Sequence, residues 1–125
     1  MNHLEQALAF RNAMRQSHGC LTQPIISLQT SLIAEECDEL MESARLLAFN
    51  MANKRCREET LKELTDLTYV CYQMAAAAGW DLDEALDRVH ESNMTKLVDG
   101  EPVKDENGKV VKGPNYKAPS LVDLV

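Results

Sequence analysis

The spacing of apolar residues between positions 24 and 49 constrains the fold more than any other feature of this sequence. The residues that share one face of a helix with 3.6 residues per turn are Ile25, Leu28, Leu32, Ile33, Leu40 and Leu47. Pro24 suits the first turn of such a helix. The pattern predicts a helix over residues 24–49 whose apolar face needs other helices to cover it.

Acidic residues interrupt this apolar stripe. On a helical wheel, the stripe centres at roughly 30 to 40° and Glu36 falls at roughly 20°, so its carboxylate is predicted to point inward. Glu35 and Glu39 lie on the shoulder of the stripe, whereas Asp38 and Glu42 face solvent. A carboxylate buried without compensation costs several kcal/mol, so Glu36 must be protonated, paired with a cation or bound to a metal.

Three more helices are predicted, joined by short connections. They cover residues 3–16, 57–78 and 81–97, with Gly79 as a stop signal and Asp81 and Glu84 as a capping box. The predicted core positions of the third and fourth helices are Leu64, Leu67, Cys71, Met74, Ala78, Leu82, Leu86 and Val89. Four helices with short links indicate an all-α, four-helix bundle-like domain over residues 1–97.

The composition changes after residue 97. Residues 98–125 hold three of the five glycines and three of the four prolines. Asn107 and Gly108, between residues 102–104 and 109–111, are typical of the turn of a short β-hairpin. We expect an extended C-terminal arm over 98–125 that packs on the bundle or on a neighbouring subunit.

Charge and composition exclude several classes of protein. A formal charge of −7 disfavours nucleic acid and anionic membranes as partners. No apolar stretch approaches the roughly 18 residues of a membrane span, and residues 1–6 do not resemble a secretory signal. The four cysteines show no metal-binding spacing and are expected to be reduced core residues. These features predict a cytoplasmic location.

The third predicted helix carries further acidic residues and no cation that could neutralise those of the second helix. Glu59, Glu63 and Asp66 follow one edge of its apolar stripe. Like charges on two facing helices cannot all stay ionised without something positive between them, and oxygen ligands favour Mg²⁺, Mn²⁺ or Ca²⁺. A di-iron bundle would need two Glu-x-x-His motifs, whereas this chain has only Asp87-Arg-Val-His90.

The fourth predicted helix carries polar residues at its apolar face. Asn93 falls between Leu82, Leu86 and Val89, and Lys96 lies on the shoulder. An amide donor and an ammonium near a metal site suit a phosphate ligand. A core amide that fixes helix register and a surface lysine are the structural alternatives.

Two acidic motifs carry a family resemblance. Glu35-Glu36-Cys-Asp-Glu39 and Glu63-Leu-Thr-Asp66 resemble the EExxE and ExxD signature of the MazG family of all-α nucleoside triphosphate pyrophosphohydrolases. The segments SNMTKL and DENGKVVKGPNY resemble the C-terminal part of small single-domain members. The wider superfamily includes dimeric dUTPases and phosphoribosyl-ATP pyrophosphohydrolases.

The resemblance implies an activity and a set of site residues. The reaction would convert a (d)NTP to the (d)NMP and pyrophosphate with Mg²⁺, for which Mn²⁺ could substitute, and would serve nucleotide house-cleaning. The implied metal ligands are Glu36, Glu39, Glu63 and Asp66. Glu35 would orient or deprotonate the attacking water, and Glu39 is the alternative. The implied substrate-binding residues are Asn93, Lys96, Lys112, Asn115 and Tyr116.

Other functions and an oligomeric state are also open at this point. Phosphoribosyl-ATP and dUTP are alternative substrates. A non-catalytic oligomeric interaction module, with its inward acids neutralised by a partner, is an alternative of another class. Wide apolar arcs and the Ala75–Ala78 run favour a homo-oligomer, and the resemblance implies a dimer or dimer of dimers; we expect a homotetramer.

Overall fold

Helices form most of the chain, and the computed structural model describes all 125 residues. The helices are α1 (His3–Ala13), α2 (Gln23–Phe49), α3 (Lys54–Ala78) and α4 (Leu82–Met94), followed by strands β1 (Leu97–Val98) and β2 (Glu101–Pro102) and a 3-10 turn (Val122–Leu124). Four helices and a small antiparallel hairpin confirm the predicted fold class. None of the helices combines the length and apolar character needed to cross a bilayer.

Local capping chemistry explains most helix boundaries. Thr22 caps α2 through its side chain, and Pro24 lies in the first turn as predicted. Asn53 caps α3 by accepting hydrogen bonds from two backbone amides, so α3 begins at Lys54, three residues earlier than predicted. The helix stops at Gly79, which adopts φ 81°. α1 is shorter than predicted and ends at Ala13.

The first of two compact units covers Met1–Trp80 and contains α1, α2 and α3. α3 contacts both other helices of this unit. α2 and α3 run antiparallel, and the hydroxyls of Ser43 and Thr60 are 2.9 Å apart across their contact. The buried hydrophobic residues are Ala7, Tyr72, Ala75, Ala76 and Ala77. These mostly small side chains allow α1 and α3 to approach closely.

Two leucines predicted in the core of this unit are largely exposed. Leu28 is 56% exposed, and Leu64 on α3 is also exposed. The prediction of buried positions is therefore wrong for both. Gln29, at the centre of the predicted stripe, is only 4% exposed, and Leu28 lies about 100° away from it on the wheel.

The second unit covers Asp81–Val125. Asp81 caps α4 by accepting from the Glu84 amide at 3.0 Å, as predicted. The Glu84 carboxylate accepts from Arg88 Nε at 2.8 Å, so it is engaged along the helix. The predicted domains, 1–97 and 98–125, remain a prediction.

The inward face of α4 differs from the predicted one. Asn93 and Leu86 are exposed, so their predicted burial is wrong, whereas Ser92 is buried. The Ser92 hydroxyl donates to the Lys117 carbonyl at 2.6 Å, and the Lys117 amide donates to Thr95 Oγ1 at 2.8 Å. These bonds fix the rotation of α4 against the C-terminal segment, one residue away from the predicted phase.

Two short turns shape the segment after α4. Asp99 and Gly100, with φ 51° and 76°, connect β1 to β2, a turn that was not predicted. The predicted turn at Asn107 and Gly108 closes only an isolated antiparallel bridge between Lys104 and Val110. The strands predicted over 102–104 and 109–111 are therefore reduced to that bridge.

Candidate functional site

The contact between α2 and α3 contains a line of polar side chains, which we call the polar seam. Its residues are Gln29, Glu36 and Ser43 on α2, and Thr60, Glu63, Asp66 and Gln73 on α3. All of them are buried or half-buried. Seven-residue spacing keeps the α2 members on one face of the helix. Ser43 and Thr60 meet at one end of the seam, and Gln29 and Gln73 line a common cavity at the other.

Three carboxylates meet in the middle of the polar seam. One carboxylate oxygen from each of Glu36, Glu39 and Glu63 lies within 4.8 Å of the other two. The Oε2 atoms of Glu36 and Glu63 are buried without a hydrogen-bond partner. Buried polar atoms are normally paired, so these two oxygens can accept a cation. We call these three residues the acid cluster.

The electrostatics of the acid cluster act most strongly on Glu36. Burial, the neighbouring carboxylate of Glu39 and those of Asp66 and Glu63 raise the pKa of Glu36 above its ordinary value. A divalent cation between these carboxylates would reverse that effect, because it stabilises the ionised form.

A lysine on α3 reaches the edge of this cluster. Lys62 Nζ is 2.7 Å from Asp66 Oδ2 and 3.5 Å from Glu63 Oε1. The prediction that this helix supplies no cation is therefore wrong, because the long side chain reaches from an outward position to the acids. Its hydrogen bond to Asp66 raises the pKa of Lys62. The Lys62 side chain is 66% exposed, so the ammonium can turn away into solvent.

The structure brings the predicted metal ligands together to different degrees. Glu36, Glu39 and Glu63 form the acid cluster, whereas Asp66 is engaged by Lys62. Glu35, the predicted base, is exposed on α2 next to Glu36. An all-oxygen donor set with two unpartnered buried oxygens fits Mg²⁺, Mn²⁺ or Ca²⁺.

The predicted substrate-binding residues all lie in the second unit. Lys112 Nζ stands 4.8 Å from the centroid of the Tyr116 ring, a cation–π contact. Asn115 Nδ2 donates to the Leu97 carbonyl at 3.4 Å. Asn93 is exposed and Lys96 is half-buried. Lys112 and Tyr116 are therefore in contact, and the binding roles of all five residues stay predictions.

Sequence reasoning missed the glutamine end of the polar seam. Gln29 and Gln73 are 4% and 5% exposed, and the side-chain oxygen of each has no hydrogen-bond partner. Both line a cavity of about 290 Å³ in the first unit. The wheel position of Gln29, in the centre of the apolar stripe, was the signal that could have identified it.

Comparison with known proteins adds a family to this geometry. A family model described as phosphoribosyl-ATP pyrophosphohydrolase matches residues 3–93. The chain is also similar to an uncharacterized protein of Acanthamoeba polyphaga mimivirus, with 38% identity over 60 residues. That similarity covers 48% of this chain and 24% of the viral protein, so the chain spans about a quarter of that relative.

Proposed function

Because the chain belongs to the phosphoribosyl-ATP pyrophosphohydrolase family, we propose that it hydrolyses a nucleoside triphosphate to the monophosphate and pyrophosphate with Mg²⁺. The family indicates a pyrophosphohydrolase that acts on a phosphoric anhydride bond, and it belongs to the MazG-like all-α superfamily. The narrower resemblance to MazG itself stays a prediction.

One observation carries the proposal of a metal site. Buried, unpartnered oxygens of Glu36 and Glu63 belong to different helices and lie in one cluster with Glu39. A non-catalytic helix contact gains nothing from this arrangement, because each buried charge lowers stability. We assign Glu36, Glu39 and Glu63 as ligands, and Asp66 as a fourth once Lys62 turns away.

The proposed catalytic roles rest on the two acidic motifs and on the exposure of Glu35 and Glu39. Mg²⁺ would neutralise charge at the phosphate oxygens, which the acid cluster alone would repel. We propose that Glu35, which is exposed and precedes Glu36 in the sequence, accepts a proton from the attacking water. Glu39, at the exposed side of the cluster, is the alternative proton acceptor.

The substrate class has two candidates. Canonical or modified (d)NTPs, as a house-cleaning activity, follow from the two acidic motifs. Phosphoribosyl-ATP is favoured by the description of the matching family. The same anhydride bond is cleaved in both, so the acid cluster serves either substrate. Asn93, Lys96, Lys112, Asn115 and Tyr116 are proposed to hold phosphates or to close over the nucleotide.

The test is pyrophosphate release from canonical and modified (d)NTPs, dUTP and phosphoribosyl-ATP, each with and without Mg²⁺. Glu36→Gln and Glu39→Gln should each lower kcat/KM by at least about 100-fold, because each removes a carboxylate ligand of the Mg²⁺ that neutralises the phosphate charge. Asp38→Asn, which changes an exposed acid of the same helix, is the matched control and should retain activity.

Two outcomes would count against the proposal. Activity that survives both glutamate substitutions would remove the acid cluster from the mechanism. No release from any substrate by folded wild-type protein would favour the alternative of a non-catalytic helical interaction module, with its acids neutralised by a partner's lysines.

A further inference from the structure

A cavity with mostly apolar walls and a few polar side chains lies at the glutamine end of the polar seam. Its volume is about 290 Å³, and its walls include Phe10, Arg11, Gln29, Tyr69 and Gln73. The rings of Phe10 and Tyr69 meet edge to face, with centroids 5.7 Å apart. The cavity thus combines apolar and aromatic surface with four polar side chains, those of Arg11, Gln16, Gln29 and Gln73, as small-molecule sites do.

Arg11 is a buried cation without a counterion. It is 4% exposed, and its one hydrogen bond is from Nε to the Ser17 carbonyl at 2.6 Å. None of the salt bridges of the structure involves it. Guanidinium groups only donate hydrogen bonds, so the N–H groups of Arg11 beyond Nε can donate to an acceptor in the cavity.

The two glutamines have the opposite requirement. Gln73 Nε2 donates to the Ala7 carbonyl at 3.4 Å, which leaves its oxygen without a partner. The oxygen of Gln29 is also without one. A buried acceptor left unsatisfied is unfavourable, so both amides call for N–H donors. Rotation about the terminal χ3 torsion is soft and lets either amide reorient toward a ligand.

The cavity lies on the same seam as the acid cluster. Gln29 precedes Glu36 by seven residues on α2, and Gln73 follows Asp66 by seven on α3. Seven residues of helix rise about 10 Å, or two turns. A ribose with its phosphate chain can bridge a separation of this size, with the phosphates at the carboxylates and the base in the cavity.

We propose that this cavity binds the nucleobase, and that Arg11, Gln29 and Gln73 select bases that carry a carbonyl beside a ring N–H. In such a base, the carbonyl accepts from Arg11 and the N–H donates to a glutamine oxygen. Phe10 and Tyr69 contact the ring. This inference rests on the proposed function, because it extends that substrate site toward the base.

Two pairs of natural bases differ in only this feature. Hypoxanthine and uracil present a carbonyl beside a ring N–H, where adenine and cytosine present an amino group beside an unprotonated ring nitrogen. The keto member of each pair should therefore bind at least about tenfold more tightly, since each hydrogen bond is worth about a factor of ten. Adenine would leave Arg11 without its carbonyl partner.

The test measures binding of IMP against AMP, and of UMP against CMP, by calorimetry with wild-type protein. Gln29→Met and Gln73→Met preserve side-chain length and remove the amide. At least one of the two variants should reduce the keto preference about tenfold, because the ring N–H needs one glutamine oxygen. Neither should lower the melting temperature, because no buried acceptor is left unsatisfied. Gln6→Met, at an exposed position on α1 outside this cavity, should leave the preference unchanged.

Monophosphate binding separates this inference from the proposed function, because it needs no hydrolysis. Equal binding within each pair, no binding of any monophosphate, or a preference that survives both methionine substitutions in folded protein would overturn the inference. Pyrophosphate release without base preference would overturn this inference and leave the proposed hydrolase function standing. A keto preference without release from any triphosphate would support the cavity as a base site and overturn the hydrolase proposal.

Discussion

The carboxyl group of Glu36 lies where ionisation is unfavourable until a cation arrives. Burial and the nearby carboxylates of Glu39, Asp66 and Glu63 raise its pKa, and one of its oxygens has no partner. The group therefore links protonation, folding stability and metal binding at one position. Lys62 adds a cation that touches Asp66 and Glu63 and so competes with a metal.

Metal-free protein should lose stability as the pH rises from the ordinary glutamate pKa, about 4.3, through the raised value of Glu36. The reason is that an acid with a raised pKa binds more protons in the folded than in the unfolded state over that window. Mg²⁺ requires the ionised carboxylates, so the stabilisation by Mg²⁺ should grow with pH over the same range. Melting temperatures with and without Mg²⁺ across this range are the measurement.

The control for this pH dependence is Glu36→Gln. The variant should show a flatter pH profile without metal and a smaller Mg²⁺-induced rise in melting temperature. A wild-type profile that rises with pH in the absence of metal over this window, with the variant identical, would contradict the assignment.

Removing the competing ammonium should strengthen metal binding. We expect Lys62→Met to raise the Mg²⁺ affinity of nucleotide-free protein about two- to fivefold, the range of an exposed ion pair. Lys54→Met, at an exposed position at the start of α3, is the control and should leave the affinity unchanged. Titration calorimetry measures both, and an unchanged or weaker affinity in Lys62→Met would show that the lysine does not compete.

At the scale of single elements, the connection after α1 closes the C-terminal end of α3. The amides of Gly19 and Cys20 donate to the carbonyls of Ala76 and Ala77 at 3.1 and 3.0 Å. Gly79 ends α3 in the left-handed region, and a Cβ there would lie 3.0 Å from Gly19 Cα. The loop therefore satisfies carbonyls that the helix end leaves free.

Gly79→Ala should destabilise the protein by about 2 kcal/mol or more, because left-handed strain of about 1 to 2 kcal/mol adds to a contact with backbone. Gly100→Ala is the matched comparison, since Gly100 has φ 76° and a Cβ added there would meet no atom within 4 Å. The loss of stability in Gly100→Ala should be limited to the left-handed backbone strain. Chemical denaturation measures both, and equal losses would show that the approach of Gly19 is unimportant.

At the same scale, an ion pair holds the C-terminal 3-10 turn to α4. Arg88 forms a two-pronged pair with Asp123, at 2.6 and 2.9 Å, and donates to the Ser120 carbonyl at 3.1 Å. The pair lowers the pKa of Asp123. Its contribution to stability is therefore present above the ordinary aspartate pKa and is lost as the pH falls through the lowered value.

Asp123→Asn should release the 3-10 turn while the helices stay folded. The Leu124 amide, which donates to the Leu121 carbonyl at 2.9 Å, should exchange faster with solvent. Acidification of the wild type should produce the same local change. Glu106→Gln, an exposed acid of the same unit, is the control. Unchanged exchange in Asp123→Asn would show that the pair does not hold the turn.

At the scale of the whole molecule, few large apolar side chains are fully covered. Large hydrophobic side chains exposed on α2 and α3 are Ile26, Leu28, Met41, Leu46, Phe49, Leu61, Leu64 and Tyr69. The buried hydrophobic residues are four alanines and one tyrosine. Apolar residues on more than one helix face favour burial against another chain. We propose a homo-oligomer, a dimer or dimer of dimers, with the tetramer favoured.

Light scattering after size-exclusion chromatography should give a mass of two or four chains of 14.0 kDa. The melting temperature should also rise with protein concentration, because association stabilises the folded state by mass action. A monomeric mass together with a concentration-independent melting temperature would contradict the proposal.

The sequence by itself determined the four helices, several of their end signals and the inward direction of Glu36. These features depend on local spacing and capping, which are determined by residues close together in the sequence. Residues distant in sequence decided the rest. Asn93 was misplaced because a wheel gives relative directions but not the phase at which a helix meets its neighbour. Leu28 was misplaced because it lies about 100° from the inward centre of α2, at the edge of its apolar arc.

The tertiary structure alone decided which polar groups meet. The antiparallel register of α2 and α3 places Glu63 beside Glu36 and lets Gln29 and Gln73 line one cavity. The contact of Lys62 with Asp66 depends on the conformation of the lysine side chain, and the helical period does not predict that conformation. The sequence thus determined the helices and their acids, and packing decided what each acid and amide faces, because that depends on contacts across the chain.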